Sequence, residues 1–252
     1  MKKLINNPEN FVKDTMTGII AAYGDKVKLL DGDERILVTN YPVADGKVGI
    51  VTAGGSGHLP VFLGYVGDGM LDGCAIGNVF ASPSASKMAD MIKACDRGNG
   101  VLCLYGNYGG DNMNFDMACE MVEMDDVETR TVRVKDDVAS SPKETKEKRR
   151  GVAGMVYAFK VAGAAAAQMK NLDEVAGVAQ KALDQGVSRR VLVASDIKGF
   201  KYINSTIGYT QGDNILRMFA DMMVQSSGPE VINARVNGDV FLTLGVYEDR
   251  TD

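Results

Sequence analysis

The chain of 252 residues has no tryptophan, a single histidine, only four cysteines and no apolar run of 18 residues. Each scarcity excludes something. With one imidazole, at His58, there is no His-rich metal site and no mechanism that needs two imidazoles. The cysteines, Cys74, Cys95, Cys103 and Cys119, form no C-x-x-C pair, which removes zinc knuckles and thioredoxin-type motifs. They lie in apolar or helical-looking stretches and read as reduced core residues of a cytoplasmic protein. The first residues carry charge but no apolar core, so no signal peptide is expected. Without a long apolar stretch, no membrane span and no membrane partner are expected. Basic excess is absent too: 28 basic against 33 acidic residues leave a net charge of −5. That argues against a broad phosphate-binding surface and so against nucleic acid as a partner. What remains is 45% hydrophobic, enough for a sizeable core. The length fits one large domain or a domain and a half.

Apolar periodicity predicts a helix over 9–22 and further helices over 84–95, 112–123 and 151–168. Short apolar runs at 47–52, 101–105 and 129–134 predict strands between them. Strands alternating with helices imply an α/β fold with a largely parallel sheet and flanking helices. In such sheets ligands sit beyond the carboxyl ends of the strands. Ten glycines fall between Gly46 and Gly77. That density reads as sharp turns or close backbone approach, and not as helix or strand interior. The Ala- and Gly-rich helix after Gly151 is expected to pack closely on a neighbour. The charge run at 143–150 (K-E-T-K-E-K-R-R) reads as a solvated loop or helix start.

Two strand ends carry candidate chemistry. After the first strand comes Gly54-Gly55-Ser56-Gly57-His58. It is neither a Walker A loop, nor G-x-G-x-x-G, nor G-x-S-x-G. It reads as a loop of exposed amides able to hold an oxygen-rich ligand, with an imidazole at its end to exchange a proton. The plain alternative is a tight turn with an incidental surface histidine. After the second strand comes Gly109-Gly110-Asp111-Asn112-Met113-Asn114-Phe115. Asp111 is either a cap of the next helix or a carboxylate placed to accept a hydroxyl proton. If both strand ends face one pocket, His58 and Asp111 form an acid–base pair for a small hydroxylated substrate.

These motifs resemble the substrate-binding subunit of dihydroxyacetone kinases, the DhaK family, over residues 1–180. The matching stretches include Leu4 to Val12, Gly54 to His58, Gly64-Tyr65-Val66-Gly67, Gly110 to Phe115, Asp136-Asp137-Val138-Ala139 and Arg149 to Gly154. Leu59 stands where most relatives carry Glu, and Gly106-Asn107-Tyr108-Gly109 where many carry Lys-Asn-Tyr-Thr. Both variants look like the subgroup that handles four-carbon ketoses such as erythrulose. The resemblance implies that His58 hydrogen-bonds a substrate oxygen and that Asp111 is the base. Gly55, Ser56 and Gly57 would line the substrate pocket. It also implies no tightly bound cofactor on this chain. ATP and Mg²⁺ would sit on an ATP-binding DhaL-like partner, or a phosphotransferase-system partner would supply phosphate. The ligand would be a small ketose, and the assembly a homodimer. The family's second α/β half carries a Gly-Ile-His-Gly-Glu segment whose histidine captures the ketone covalently. No histidine follows His58 here, so that capture is absent from this chain.

Residues 190–244 resemble a different family, the GGDEF or diguanylate cyclase domain. The run Ser195-Asp196-Ile197-Lys198-Gly199-Phe200 to Asn204, then Gly212-Asp213-Asn214 and Asn237-Gly238-Asp239-Val240-Phe241, carries the likeness. It implies metal positions at Asp196 and Asp239 and guanine-facing positions at Asn204 and Asp213. Val240 replaces a catalytic acidic residue, so these are vestigial and no functional metal is expected. The expected organisation is an incomplete DhaK-like domain at 1–186 and a partial, degenerate GGDEF-like α/β segment at 187–252. The favoured function is a ketose kinase subunit. The alternative is a truncated or fused non-catalytic binding or regulatory protein.

Overall fold

The computed structural model describes residues 6–186, 190–228 and 231–246. The chain divides into two compact units, Met1–Leu183 and Asp184–Asp252.

The first unit is built on a six-stranded sheet of order β1-β2-β4-β3-β5-β6. Its strands are β1 (Val27–Leu30), β2 (Asp33–Thr39), β3 (Gly49–Gly55), β4 (Gly73–Gly77), β5 (Val101–Gly106) and β6 (Thr129–Val134). The four strands β4, β3, β5 and β6 run parallel, and the β1–β2 hairpin adds an antiparallel edge. The largely parallel sheet matches expectation; the hairpin edge was not foreseen. Strands β3, β4 and β5 are buried along their whole length. Helices cover both faces, as a parallel sheet requires.

Alternation along the strands divides the core in two. On one face α2 (Ala85–Cys95) and α3 (Gly109–Glu123) set Met88, Ile92, Phe115 and Val122 on Val51, Ala53, Cys103 and Tyr105. On the other, α1 (Phe11–Tyr23), α4 (Gly154–Ala167) and α5 (Leu172–Gly186) set Met16, Phe159 and Val175 on Ile50, Leu102 and Leu104. The small residues of α4 allow the close packing expected of them. A Cβ at Gly163 would lie 2.2 Å from the carbonyl oxygen of Gly69, so the helix rests directly on the β3–β4 connection.

The glycine-dense stretch corrects the sequence reading. It holds two central strands, β3 and β4. Their glycines sit where other chain presses on the sheet. A Cβ would lie 2.4 Å from the Cys95 carbonyl oxygen at Gly49, 2.7 Å from the Cys95 sulfur at Gly73, and 1.8 Å from the Ala81 carbonyl oxygen at Gly77. Close approach was the right reason, but it operates inside strands.

The second unit contains β7 (Arg190–Asp196), α6 (Phe200–Ile207), α7 (Tyr209–Ser226), β8 (Ile232–Asn237) and β9 (Val240–Val246). Its three strands form an antiparallel sheet of order β7-β9-β8. Gly199 and Gly208, at φ of +75° and +83°, hold the positive-φ positions that start α6 and α7. Among the described residues of this unit, Leu216 and Phe241 are the buried apolar side chains. Phe219 meets Phe241 edge-on at 4.9 Å.

Candidate functional site

The site follows from topology. The β3–β4 connection packs Phe62, Leu63 and Val66 into the core on the α1–α4 face. The β5–β6 connection is α3, on the other face. Neighbouring parallel strands whose connections leave to opposite faces open a crevice between their carboxyl ends. β3 and β5 are such a pair. His58 ends the short turn after β3, and Asp111 lies in the first turn of α3 after β5. The fold therefore brings the two nominated residues to one crevice, near enough for the His58 charge to act on the Asp111 carboxyl.

The glycine loop is tighter than its sequence suggests. β3 continues through Gly54 and Gly55, leaving a single turn, Ser56–His58. The expected free amides are in part committed: Ser56 N–H donates to the Asn78 carbonyl at 3.2 Å and Gly57 N–H to the Val79 carbonyl at 2.7 Å. A Cβ at Gly55 would lie 2.7 Å from the Val79 oxygen, and one at Gly57 2.5 Å from the Val79 side chain. These glycines admit the segment after β4. Ser56 is buried, and its Oγ has no hydrogen-bond partner. The exposed His58 ring sits between Phe62, edge-on at 6.0 Å, and Phe80 at 5.2 Å. Phe62 holds φ at +72°, a strained value for a bulky residue. Its ring fills the place of a Gly54 side chain, since a Cβ there would lie 2.2 Å from it.

Asp111 is not the helix cap; Tyr108 occupies that position without a side-chain bond. The Asp111 side chain is buried inside the first turn, and its Oδ1 has no hydrogen-bond partner. Burial pushes the carboxyl above its ordinary value. The Ser82 hydroxyl, the residue's own amide and His58 pull it partly back. Ser82 is the functional candidate that sequence reasoning missed. Its Oγ would meet a Gly110 Cβ at 2.7 Å, so it lies over the start of α3. The available signal was the serine in Phe80-Ala81-Ser82-Pro83-Ser84, just past a third parallel strand end.

The run at 143–150 is fastened to the same edge. Asn107 Nδ2 donates to the carbonyls of Glu147 (3.0 Å) and Arg149 (2.8 Å), and the Tyr108 hydroxyl donates to that of Gly151 (3.0 Å). Arg150 lies over the Tyr108 ring at 6.0 Å. Asp136 accepts the amides of Val152 and Gly154 at 2.8 Å each, which secures the start of α4.

Two surface clefts, of about 400 and 330 Å³, lie at the other end of β5 and β6. Neither coincides with the crevice. Among the described residues no three His, Cys, Asp or Glu side chains are grouped to hold a metal. In the second unit, Asp196 pairs across the sheet with Val240, which sets Asp196 and Asp239 at one end of the sheet. Asn204 Oδ1 is buried against Gly212 without a hydrogen-bond partner, and Asp213 is exposed. Among the described residues no helix is long and apolar enough to cross a membrane.

The first unit is thus an open α/β fold with an imidazole and a buried carboxylate at its switch point. The Dak1 domain model matches residues 17–196, and the chain belongs to that family. The diguanylate cyclase GGDEF domain model matches residues 167–249. The chain is 42% identical over 195 residues to PTS-dependent dihydroxyacetone kinase 2, dihydroxyacetone-binding subunit DhaK, of Listeria innocua; this covers 77% of the chain and 58% of that protein. It is 40% identical over 184 residues to L-erythrulose 1-kinase of Mycolicibacterium smegmatis, covering 73% of the chain and 32% of that protein. The native dihydroxyacetone kinase of C. freundii superposes with a TM-score of 0.67 at 30% identity, covering 77% of the chain and 35% of that structure. The dihydroxyacetone kinase operon co-activator Dha-DhaQ superposes with a TM-score of 0.61 at 28% identity, covering 72% of the chain and 54% of that structure. The chain therefore spans little more than half, or less, of each of these relatives. The resemblance to the DhaK family, with a GGDEF segment after it, is borne out.

Proposed function

We propose that residues 1–186 hold a small polyhydroxy ketone, dihydroxyacetone or erythrulose, for phosphorylation by a partner. The observation that carries this is Asp111, a buried carboxylate with an unpartnered oxygen across the crevice from His58. A substrate hydroxyl supplies the missing hydrogen bond. As that oxygen attacks the incoming phosphoryl group, Asp111 accepts its proton, and the raised pKa suits a base. His58 donates to a second substrate oxygen. Gly55, Ser56 and Gly57 shape the wall, and the Ser56 hydroxyl faces the ligand. An ATP-binding DhaL-like subunit carrying Mg²⁺, or a phosphotransferase-system protein, supplies the phosphoryl group. The working form is a homodimer in the cytoplasm, and residues 187–252 form the GGDEF-like segment. In a turnover assay with a complementing ATP-binding subunit, Asp111→Asn lowers kcat by about 10²-fold or more. An unchanged rate removes Asp111 as the base.

A second reading has its own support. No histidine follows His58, so covalent capture of the ketone has no residue here. A Dak1-like structure also occurs in an operon co-activator. On this reading the chain binds a ketose, or nothing, without phosphorylating it. Calorimetry with dihydroxyacetone and erythrulose separates the cases. Binding with no turnover beside any complementing subunit favours the regulatory reading. Binding of GTP or cyclic diguanylate would instead assign function to the second unit.

A further inference from the structure

Outside the crevice, Cys103 of β5 and Cys119 of α3 bring their sulfurs to 3.9 Å. Cys103 is fully buried. Cys119 is partly exposed and lines the 400 Å³ cleft beside Glu120, Glu123, Thr129 and Arg130. Around the Cys119 sulfur stand the Cys103 thiol, at 3.9 Å, and the hydroxyls of Thr129 and Thr131 on β6. Such a set stabilises a thiolate, and an accessible thiolate is the reactive form of cysteine. The Cys103 thiol contributes most and, with the two threonines, holds Cys119 down at about 6, against burial and the neighbouring charge of Asp116. The other cysteines run the opposite way. Burial pushes Cys74 far up and Cys95 up to about 12.

We propose that Cys119 is a site of reversible oxidation by hydrogen peroxide, with Cys103 as its resolving thiol. The Cys119 thiolate attacks one peroxide oxygen, the O–O bond breaks, and hydroxide leaves to be protonated to water. Cys119 is then a sulfenic acid, oxidised by two electrons. The Cys103 sulfur next attacks the Cys119 sulfur. An S–S bond forms, the S–O bond breaks, and hydroxide leaves as water with the Cys103 proton. The contact must shorten to about 2 Å, which draws the middle of α3 toward β5. The cleft selects the oxidant. Glu120, Glu123, Asp126 and Glu128 line it beside Arg130, which pairs with Glu128 at 2.8 Å. That negative balance repels anionic disulfides such as glutathione disulfide and admits a small neutral peroxide. None of this depends on the ketose reading.

The test uses the full chain, hydrogen peroxide and dimedone, read by peptide mass spectrometry. Wild-type protein yields a 103–119 disulfide, two hydrogens lighter and reversed by dithiothreitol, while Cys74 and Cys95 stay reduced. Cys103→Ser oxidises more slowly but accumulates the Cys119 sulfenic acid as its dimedone adduct. Should that variant not fold, iodoacetamide on the wild type decides: Cys119 alkylates at pH 7 at least about 10-fold faster than Cys95. Equal labelling of Cys119 and Cys95, or oxidation at Cys74 before Cys119, overturns the proposal. Sulfenic acid on Cys119 that never passes to Cys103 in wild type overturns the resolving role.

Discussion

Asp111 should weaken the fold it serves. Its carboxyl is raised by burial, and one oxygen lacks a partner. A carboxyl raised in the folded state contributes its full stability below the unfolded pKa of about 3.9. That contribution is lost as pH rises through the folded value. At pH 7.5 the fold therefore holds a buried charge. An unsatisfied buried polar group costs about 1–3 kcal/mol. Ser82, the local amide and His58 compensate part of it, which points to the low end, about 1 kcal/mol. Asparagine keeps the shape and removes the charge. Asp111→Asn should thus be the more stable protein at pH 7.5, by about 1 kcal/mol or 2–4 °C in Tm. The gap should narrow at pH 4, as the wild-type carboxyl protonates on approach to the unfolded value of about 3.9. Urea unfolding at both pH values measures it. An Asp111→Asn protein less stable than wild type at pH 7.5, or a gap independent of pH, refutes the reasoning.

Further outcomes follow from the same packing. Gly57→Ala places a Cβ 2.5 Å from the Val79 side chain and 2.6 Å from its carbonyl oxygen; it should cost about 1–3 kcal/mol in urea unfolding and weaken ketose binding measured by calorimetry. Lys47 bonds both Asp72 oxygens, at 2.9 and 2.7 Å, in a nearly buried pair. Lys47→Met leaves that carboxylate with the Ile50 amide alone and should cost about 3 kcal/mol by equilibrium denaturation. Phe159→Ala, fully buried, should cost about 3–5 kcal/mol. Phe80→Ala, at 77% exposure, should stay within about 0.5 kcal/mol of wild type while changing the His58 ring environment seen by NMR.

The parallel core was legible because 47–52 and 101–105 are short, largely apolar runs that lead into glycines, and because α2 and α4 carry helical composition. The β1–β2 edge was not. Its residues alternate weakly, and their strand character comes from pairing with β4, which itself lay hidden among glycines. At the site, His58 and Asp111 stood out as rare chemistry at strand ends. Their convergence depends on strand order, which one sequence does not display. Ser82 was missed because a serine beside proline reads as a turn, and only the fold lays it over Gly110. The commitment of the Ser56 and Gly57 amides to residues 78 and 79 was equally invisible, being a tertiary pairing of two loops.

His58 is the chain's one histidine, so its imidazole gives a single, self-assigned NMR signal. Titration of that signal with dihydroxyacetone and with erythrulose tests the crevice most directly. The account predicts a saturable shift with at least one ketose, altered by Asp111→Asn at the neighbouring strand end. A signal that does not move with either sugar would contradict it.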